Sequence, residues 1–121
     1  IGGNLSCGPN SLGCGVVFKL DSTGNETTLY TFGGPDGENP IGGVVRDTAG
    51  NLYGITASGG ANKLGAVFRL GSSGKETLLH SFTGSNGSVP IAGPLAYKGS
   101  LCGTTYAGGP SQDGVVFKMV P

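Results

Sequence analysis

The strongest constraint on the fold is an internal repeat, because the sequence matches itself at a shift of about fifty residues. Separate segments agree in the same order along the chain. The matched segments are residues 15–20 with 65–70 and 114–119, 24–34 with 74–84, 39–45 with 89–95, and 51–60 with 100–109. Each copy is expected to form one supersecondary unit that packs against its neighbours.

Each repeat unit divides into four short β-like runs separated by turn residues, which is the pattern of an antiparallel four-stranded sheet. The complete unit predicts strand a at residues 41–46, strand b at 51–57, strand c at 65–70 and strand d at 77–82. No window of about a dozen residues keeps an apolar stripe at helical spacing without an interrupting glycine or proline. The predicted fold class is therefore all-β.

Strand c indicates how the sheets pack. Val16, Val17 and Phe18 are consecutive apolar residues, and successive side chains of a strand point to opposite faces, so both faces are expected to be buried. Radial stacking of one sheet on copies of itself buries both faces. The sequence therefore predicts β-propeller-like blades of four antiparallel strands, about two and a quarter blades in this chain. The single repeat domain 1–121 divides into a partial blade at 1–34, a full blade at 35–84 and an incomplete blade at 85–121.

The predicted strands do not add up to whole blades. The chain supplies strands c and d, then a full set, then a, b and c, whereas propellers close with about four to eight blades. We expect either a segment of a longer array or several copies that complete one another's blades. The expected partners are other copies of the chain or flanking repeats, because exposed faces and bare strand edges favour association.

The residues of the repeat resemble a known family. The pattern GxVFKL, then GxETxLxSFxG, then NPxGGLxxDxxGNLYGTT is similar to the GloVer (choice-of-anchor) tandem repeat of bacterial cell-surface and secreted proteins. It is more distantly similar to NHL-type propeller blades. The match includes GNLYG at residues 50–54 and KETLLHSF at 75–82. The resemblance implies a secreted or cell-surface array of propeller-like blades with no established enzymatic activity. The last unit departs from it where Lys98 and Cys102 replace Asp47 and Tyr53.

Composition argues against several other partners. Charged residues make up 12 % of the chain and the formal net charge is zero, so the basic patch needed for nucleic-acid binding is absent. No apolar stretch approaches the roughly 18 residues of a transmembrane helix, and the first residues lack the charged start and apolar middle of a signal peptide. We expect no nucleic-acid partner and no membrane insertion.

Two cysteines lie in an insertion that lengthens the loop between strands b and c of the first unit. In an exported protein, Cys7 and Cys14 are predicted to form a disulfide that closes this loop. The alternatives are two free thiols in a cytosolic chain or, less favoured because the spacing exceeds that of CxxC, a zinc pair. Cys102 is expected to be a small buried residue.

The sequence offers no convincing catalytic residues. His80 is the single histidine and aligns with Tyr30, and no GxSxG motif supports a serine nucleophile. Asp21 and Asp47 begin glycine-containing turns, where a carboxylate accepts hydrogen bonds from backbone N–H groups. The prediction is a non-enzymatic protein with no cofactor and no metal.

The b-to-c and d-to-a loops are expected at the same end of every unit, and they vary most between units. A binding site for a glycan or a surface protein is predicted there. The candidate residues are Asn10, Asp36, Asn39, Asn62, Lys63, Asn86, Gln112 and Asp113. Sequons at Asn4, Asn25 and Asn86 would permit glycosylation in a eukaryote. The predicted function is binding or adhesion at the cell surface, and the alternative is a self-assembling structural protomer, either ring or filament.

Overall fold

The computed structural model describes residues 2–7 and 12–121, and the described chain forms nine β-strands. None of the described residues forms a helix long and apolar enough to cross a membrane. The strands are β1 (Val16–Leu20), β2 (Glu26–Thr31), β3 (Val45–Arg46), β4 (Leu52–Thr56), β5 (Ala66–Leu70), β6 (Glu76–Ser81), β7 (Leu95–Tyr97), β8 (Ser100–Thr104) and β9 (Val116–Met119).

The strands form three small antiparallel sheets of two, four and three strands, in the orders β1-β2, β3-β4-β5-β6 and β7-β8-β9. Within each sheet every strand pairs with the next along the chain, so the first sheet is a hairpin and the other two are meanders. The all-β prediction is confirmed, and so is the order of strands c-d, a-b-c-d and a-b-c. We refer to them as the first, second and third sheets.

Strand a is shorter than predicted. The sequence predicts it over 41–46, but only Val45 and Arg46 pair with β4. Pro40 has no backbone N–H to donate to a ladder, and the glycines that follow it bring the second and third sheets close together. A Cβ built on Gly42 would lie 2.5 Å from the backbone nitrogen of Gly93. The residues around Gly42 therefore do not pair as a strand, and they let the second and third sheets approach closely.

The turns follow the chemistry of their residues. In the second sheet, Asp47 Oδ1 accepts a hydrogen bond from the backbone N–H of Asn51 at 2.9 Å, and in the first sheet Asp21 Oδ1 accepts from Thr23 and Asn25. Hydrogen bonds, first from the Thr23 hydroxyl and then from backbone N–H groups, lower the pKa of Asp21 to about 2. The predicted turn role of both carboxylates is confirmed.

Two apolar clusters fill the spaces between neighbouring sheets. The first joins Val17 and Phe32 of the first unit to Phe68 and Leu70 of the second, and the other joins the second sheet to Leu101 of the third. Strand β5 contributes to both clusters, because Phe68 belongs to the first and Val67 to the other. The prediction that strand c is buried on both faces is thus confirmed for the middle sheet. It is wrong for β1, the strand on which it was made, because Val17 is buried but Phe18 is 57 % exposed.

Candidate functional site

Backbone hydrogen bonds join the loops at one end of the sheets. The d-to-a loop of one unit bridges to the start of the next b-to-c loop, because Glu38 N donates to Ser58 O at 2.8 Å and Ser58 N donates to Glu38 O at 3.0 Å. Ser88 and Ala107 form the same bridge one unit later. The two kinds of loop therefore meet at one end of the molecule, which we call the loop end.

A side chain at equivalent positions 36 and 86 organises each d-to-a loop. Asp36 Oδ1 accepts from the backbone N–H of Gly33 at 2.8 Å, and the Tyr30 hydroxyl donates to Asp36 Oδ2. In the next unit, Asn86 Oδ1 accepts from the Thr83 N–H at 2.8 Å, and Asn86 Nδ2 lies 3.2 Å from His80 Nε2. His80 therefore replaces Tyr30 as the ring whose tip contacts the loop.

Asn39 and its equivalent Val89 link neighbouring units through the backbone. Asn39 N donates to Cys14 O and Ala57 N donates to Asn39 O, both at 2.9 Å. Both residues have positive φ angles, 55° at Asn39 and 52° at Val89. Asn39 Nδ2 also donates to Ser58 Oγ at 2.8 Å. Asn39 therefore links the first and second units through hydrogen bonds at the loop end.

The remaining predicted ligand residues lie in the b-to-c loops, and Asn10 lies outside the described residues. Asn62 Nδ2 donates to Phe82 O at 3.0 Å, and Gln112 Nε2 donates to Gly109 O at 3.2 Å. Lys63 and Asp113 are exposed. Several of the candidates therefore already have a hydrogen-bonding role in the loop, and their role in ligand binding stays a prediction.

The three sequon asparagines are exposed. Asn4 Oδ1 accepts from the backbone N–H of Ser6 at 3.1 Å, and Asn25 Nδ2 donates to Thr23 Oγ1 at 2.9 Å. Asn86 has the turn role given above. Glycosylation at these positions stays a prediction.

Cys7 and Cys14 form a disulfide, with their Cα atoms 5.3 Å apart, as predicted. Both residues are buried in the first apolar cluster. Glu38 Oε1 lies 3.3 Å from Cys14 Sγ, and these three side chains place their ligand atoms within 4.8 Å of one another. A disulfide sulfur has no proton to donate and is not a thiolate, so this contact is neither a hydrogen bond nor a metal site in the oxidised protein.

The surroundings of two further side chains, Cys102 and Glu76, were not predicted from the sequence. Cys102 is half-buried rather than buried, because it lies in the third sheet and no further sheet among the described residues covers it. Glu76 was not singled out by the sequence, yet one of its carboxylate oxygens is buried and has no hydrogen-bond partner among the described residues. Burial, with a smaller contribution from the charge of Asp36, raises the pKa of Glu76 to about 7.

The outer faces of the first and third sheets expose apolar residues that are buried in the middle sheet. Phe68 is 1 % exposed, whereas its equivalent Phe18 is 57 % exposed. Val67 is fully buried, whereas its equivalent Val116 is 82 % exposed. Val17 and Phe117 pack inward, so Phe18 and Val116 point away from the stack in opposite directions.

A groove runs beside β1. Within the described residues β1 pairs with β2 alone, whereas its equivalent β5 pairs on both sides. A cavity of about 590 Å³ lies here, between Phe18 of β1 and Val44, Arg46 and Leu52 of the second sheet. Two smaller cavities of about 250 and 220 Å³ continue along Val16 and Phe18. We call this the β1 groove.

The family model of the Gloeobacter/Verrucomicrobia repeat matches residues 2–121. The chain belongs to this family. The GloVer resemblance expected from the VFKL and GNLYG segments is thereby confirmed over almost the whole chain. No curated protein and no solved structure gives a significant match.

Proposed function

We propose that this Gloeobacter/Verrucomicrobia repeat chain is a non-catalytic stacking module whose function is assembly. The outer face of each terminal sheet takes a further copy of the same sheet, as the inner faces already do within the chain. The array extends in the manner of propeller blades. The observation that supports this proposal is the contrast between buried Phe68 and Val67 and their exposed equivalents Phe18 and Val116.

The two outer faces are complementary because they are the two halves of one repeated interface. Within the chain, the Phe68 face of the second sheet packs on the Val17 face of the first, and the Phe117 face of the third packs on the Val67 face of the second. Extending this series places the exposed Phe18 face of one copy on the exposed Val116 face of another. Such a contact is heterologous, so it forms a closed ring or an open filament rather than a twofold dimer.

The spacing between the second and third sheets supports a radial arrangement of sheets rather than a flat stack. Just before strand a the second and third sheets touch backbone to backbone, since a Cβ at Gly93 would lie 2.5 Å from the Gly43 carbonyl oxygen. Along strands c and d the same sheets are separated by phenyl rings, with the Phe82 and Phe117 centroids 5.2 Å apart. Sheets that are close at one edge and spaced by rings at the other are arranged like the blades of a propeller.

The third-sheet face is less apolar than the interface it would repeat. Thr104 and Cys102 replace Ile55 and Tyr53. Leu95, in the place of Val45, keeps an apolar side chain on this face and is 64 % exposed. Burial of fewer apolar groups gives a weaker contact, so we expect association between separate copies to depend on concentration.

Mixing two blocked variants tests the proposal. Phe18→Lys blocks the first-sheet face and Val116→Lys blocks the third-sheet face, and each residue is exposed in the single chain, so neither change disturbs its fold. Sedimentation should show association of the unmodified chain, monomers for each variant alone, and dimers for an equimolar mixture, which keeps one intact pair of faces. Monomeric unmodified protein at all concentrations, or variants that still associate alone, would contradict the proposal.

A second function, adhesion to a glycan or a surface protein, is supported by the loop end. The exposed Lys63 and Asp113 make no side-chain hydrogen bond within the described ranges 2–7 and 12–121, so they are available to a ligand. The disulfide favours a secreted or cell-surface location, because such bonds persist in oxidising compartments. Glycan-array binding that is lost in Lys63→Ala and Asp113→Ala would support adhesion.

A further inference from the structure

Residues 2–7 and 12–121 contain one group of three side chains whose ligand atoms are close enough to hold a metal ion, namely Cys7, Cys14 and Glu38. Both cysteines are buried, and Glu38 is half-buried where the first and second units meet. The sequence favours a disulfide over a zinc pair, because the spacing of the cysteines exceeds that of CxxC. The fold adds a third ligand, since Glu38 is 24 residues beyond Cys14 in the chain.

Backbone hydrogen bonds hold these three residues independently of the bond between the sulfurs. Gly13 N donates to Cys7 O, and Asn39 N donates to Cys14 O, both at 2.9 Å. Glu38 belongs to the backbone bridge between the d-to-a and b-to-c loops. We therefore expect the three side chains to stay together when the disulfide is reduced.

The distances between the ligand atoms are close to those of a zinc site. Cys14 Sγ lies 3.3 Å from Glu38 Oε1. On a tetrahedral zinc, a thiolate sulfur and a carboxylate oxygen lie roughly 3.6 Å apart, and two thiolate sulfurs lie roughly 3.8 Å apart. The main change needed is separation of the two sulfurs by side-chain rotation. Three protein ligands leave the fourth position of the metal to water.

The ligand set is specific to the first junction between units. The equivalents of Cys14 and Glu38 at the next junction are Leu64 and Ser88, which offer neither a thiolate nor a carboxylate. Cys7 lies in the insertion, which the second unit lacks. The stacking of sheets therefore does not require these three residues, and their convergence calls for a separate explanation.

We propose that reduction of the Cys7–Cys14 disulfide creates a Zn²⁺ site, with both thiolates and the Glu38 carboxylate as ligands. A dithiol reductant supplies two electrons and two protons, which gives two cysteine thiols while the reductant becomes a disulfide. Zn²⁺ then displaces both thiol protons, which pass to solvent. Thiolate ligands favour zinc over magnesium or calcium.

The oxidised chain does not bind the metal in this way, because its sulfurs are bonded to each other and are not thiolates. The loop is thus closed by a covalent bond in oxidising surroundings and by a metal in reducing ones. This inference is independent of the stacking and adhesion proposals, since it uses neither the outer sheet faces nor a loop-end ligand.

Cobalt titration of the reduced full chain tests the site, because Co²⁺ takes the place of Zn²⁺ and is coloured. The chain carries Cys102→Ser, which leaves Cys7 and Cys14 as its only thiols, and a phosphine reductant opens the disulfide. We expect a thiolate-to-cobalt absorption band that saturates at one cobalt per chain and disappears when Zn²⁺ is added. The oxidised chain should show no such band.

Glu38→Gln tests the third ligand, and Glu26→Gln is the matched control because Glu26 is exposed in the same part of the molecule. Glu38→Gln should bind cobalt at least about tenfold more weakly, a loss that even an outer-shell partner of a metal can cause. Glu26→Gln should bind cobalt as the parent chain does. Equal affinity in Glu38→Gln, or cobalt binding without a thiolate band, would overturn the inference.

Circular dichroism of the same samples covers the case in which reduction unfolds the chain. Binding of Zn²⁺ only to the folded state should then restore the spectrum of the oxidised chain. A reduced chain that stays unfolded with Zn²⁺, or a folded reduced chain that gives no cobalt band, would also overturn the inference.

Discussion

Val89 has a positive φ of 52°, a backbone conformation that is unfavourable for a β-branched residue. Its equivalent Asn39 tolerates the same conformation and adds a side-chain hydrogen bond to Ser58. Strain of this kind costs on the order of 1 kcal/mol or more. Val89→Asn should therefore raise the free energy of unfolding by about 1 kcal/mol in urea denaturation.

The reverse change at the equivalent position is the control. Asn39→Val should lower the free energy of unfolding, because it introduces the strain and removes the bond to Ser58 Oγ. A destabilised Val89→Asn variant would show that packing of the valine side chain outweighs the strain.

Glu76 makes stability depend on pH. Its pKa is about 7 in the folded protein against an ordinary value of 4.5, because burial, and secondly the nearby Asp36, disfavour its ionised form. The folded state binds this proton more tightly than the unfolded state, so the contribution is complete below pH 4.5 and is lost as the pH rises through 7. The free energy of unfolding should fall across this window.

The neutral variant Glu76→Gln isolates this contribution. It should flatten the pH dependence between 4.5 and 7 and unfold at a higher denaturant concentration than the unmodified chain at pH 8. Denaturant titrations at several pH values measure both effects. An unchanged slope in Glu76→Gln would contradict the assignment.

At the same scale, the loop chemistry at positions 36 and 86 was only partly predictable. Alignment of His80 with Tyr30 indicated interchangeable rings, but not that each ring tip contacts the residue six positions later. The signal was available in the sequence, because Tyr30 is matched with Asp36 and His80 with Asn86. A pair that changes together within one chain indicates a contact.

At the scale of the strand, glycine has two separate roles. Gly54 leaves space for the ring of Phe68, and the glycines after Pro40 let neighbouring sheets approach. Periodicity identified the four strands of each unit, because alternation and turn residues are local properties. It overestimated the length of strand a, because the approach of Gly42 to Gly93 depends on another unit and has no local signature.

Gly54→Ala tests the first of these roles. The added Cβ would lie 2.5 Å from Phe68 Cζ and 3.0 Å from Val44 Cγ1, and overpacking of this kind costs about 1–3 kcal/mol. We expect a loss of that size in chemical denaturation. Gly43→Ala is the matched control, because nothing lies within 4 Å of its added Cβ, and it should unfold at the same midpoint as the unmodified chain or higher.

At the scale of the whole molecule, the three sheets differ in how completely they are covered. The repeat predicted identical units, and the middle sheet meets that expectation on both faces. The outer sheets do not, because burial of Phe18 and Val116 requires sheets that the described chain does not supply. The sequence could therefore predict each sheet, while the exposure of Phe18 and Val116 depends on what lies beside the outer sheets.

The backbone contact between Gly42 and Gly93 has a consequence for the angle between the second and third sheets. With no side chains between them, these segments form a pivot whose width is set by backbone contact alone. The angle between neighbouring sheets is then governed by the bulk of the outer residues, such as Phe82 against Phe117. Replacing those rings with smaller or larger groups would change this angle without altering the pairing of any strand.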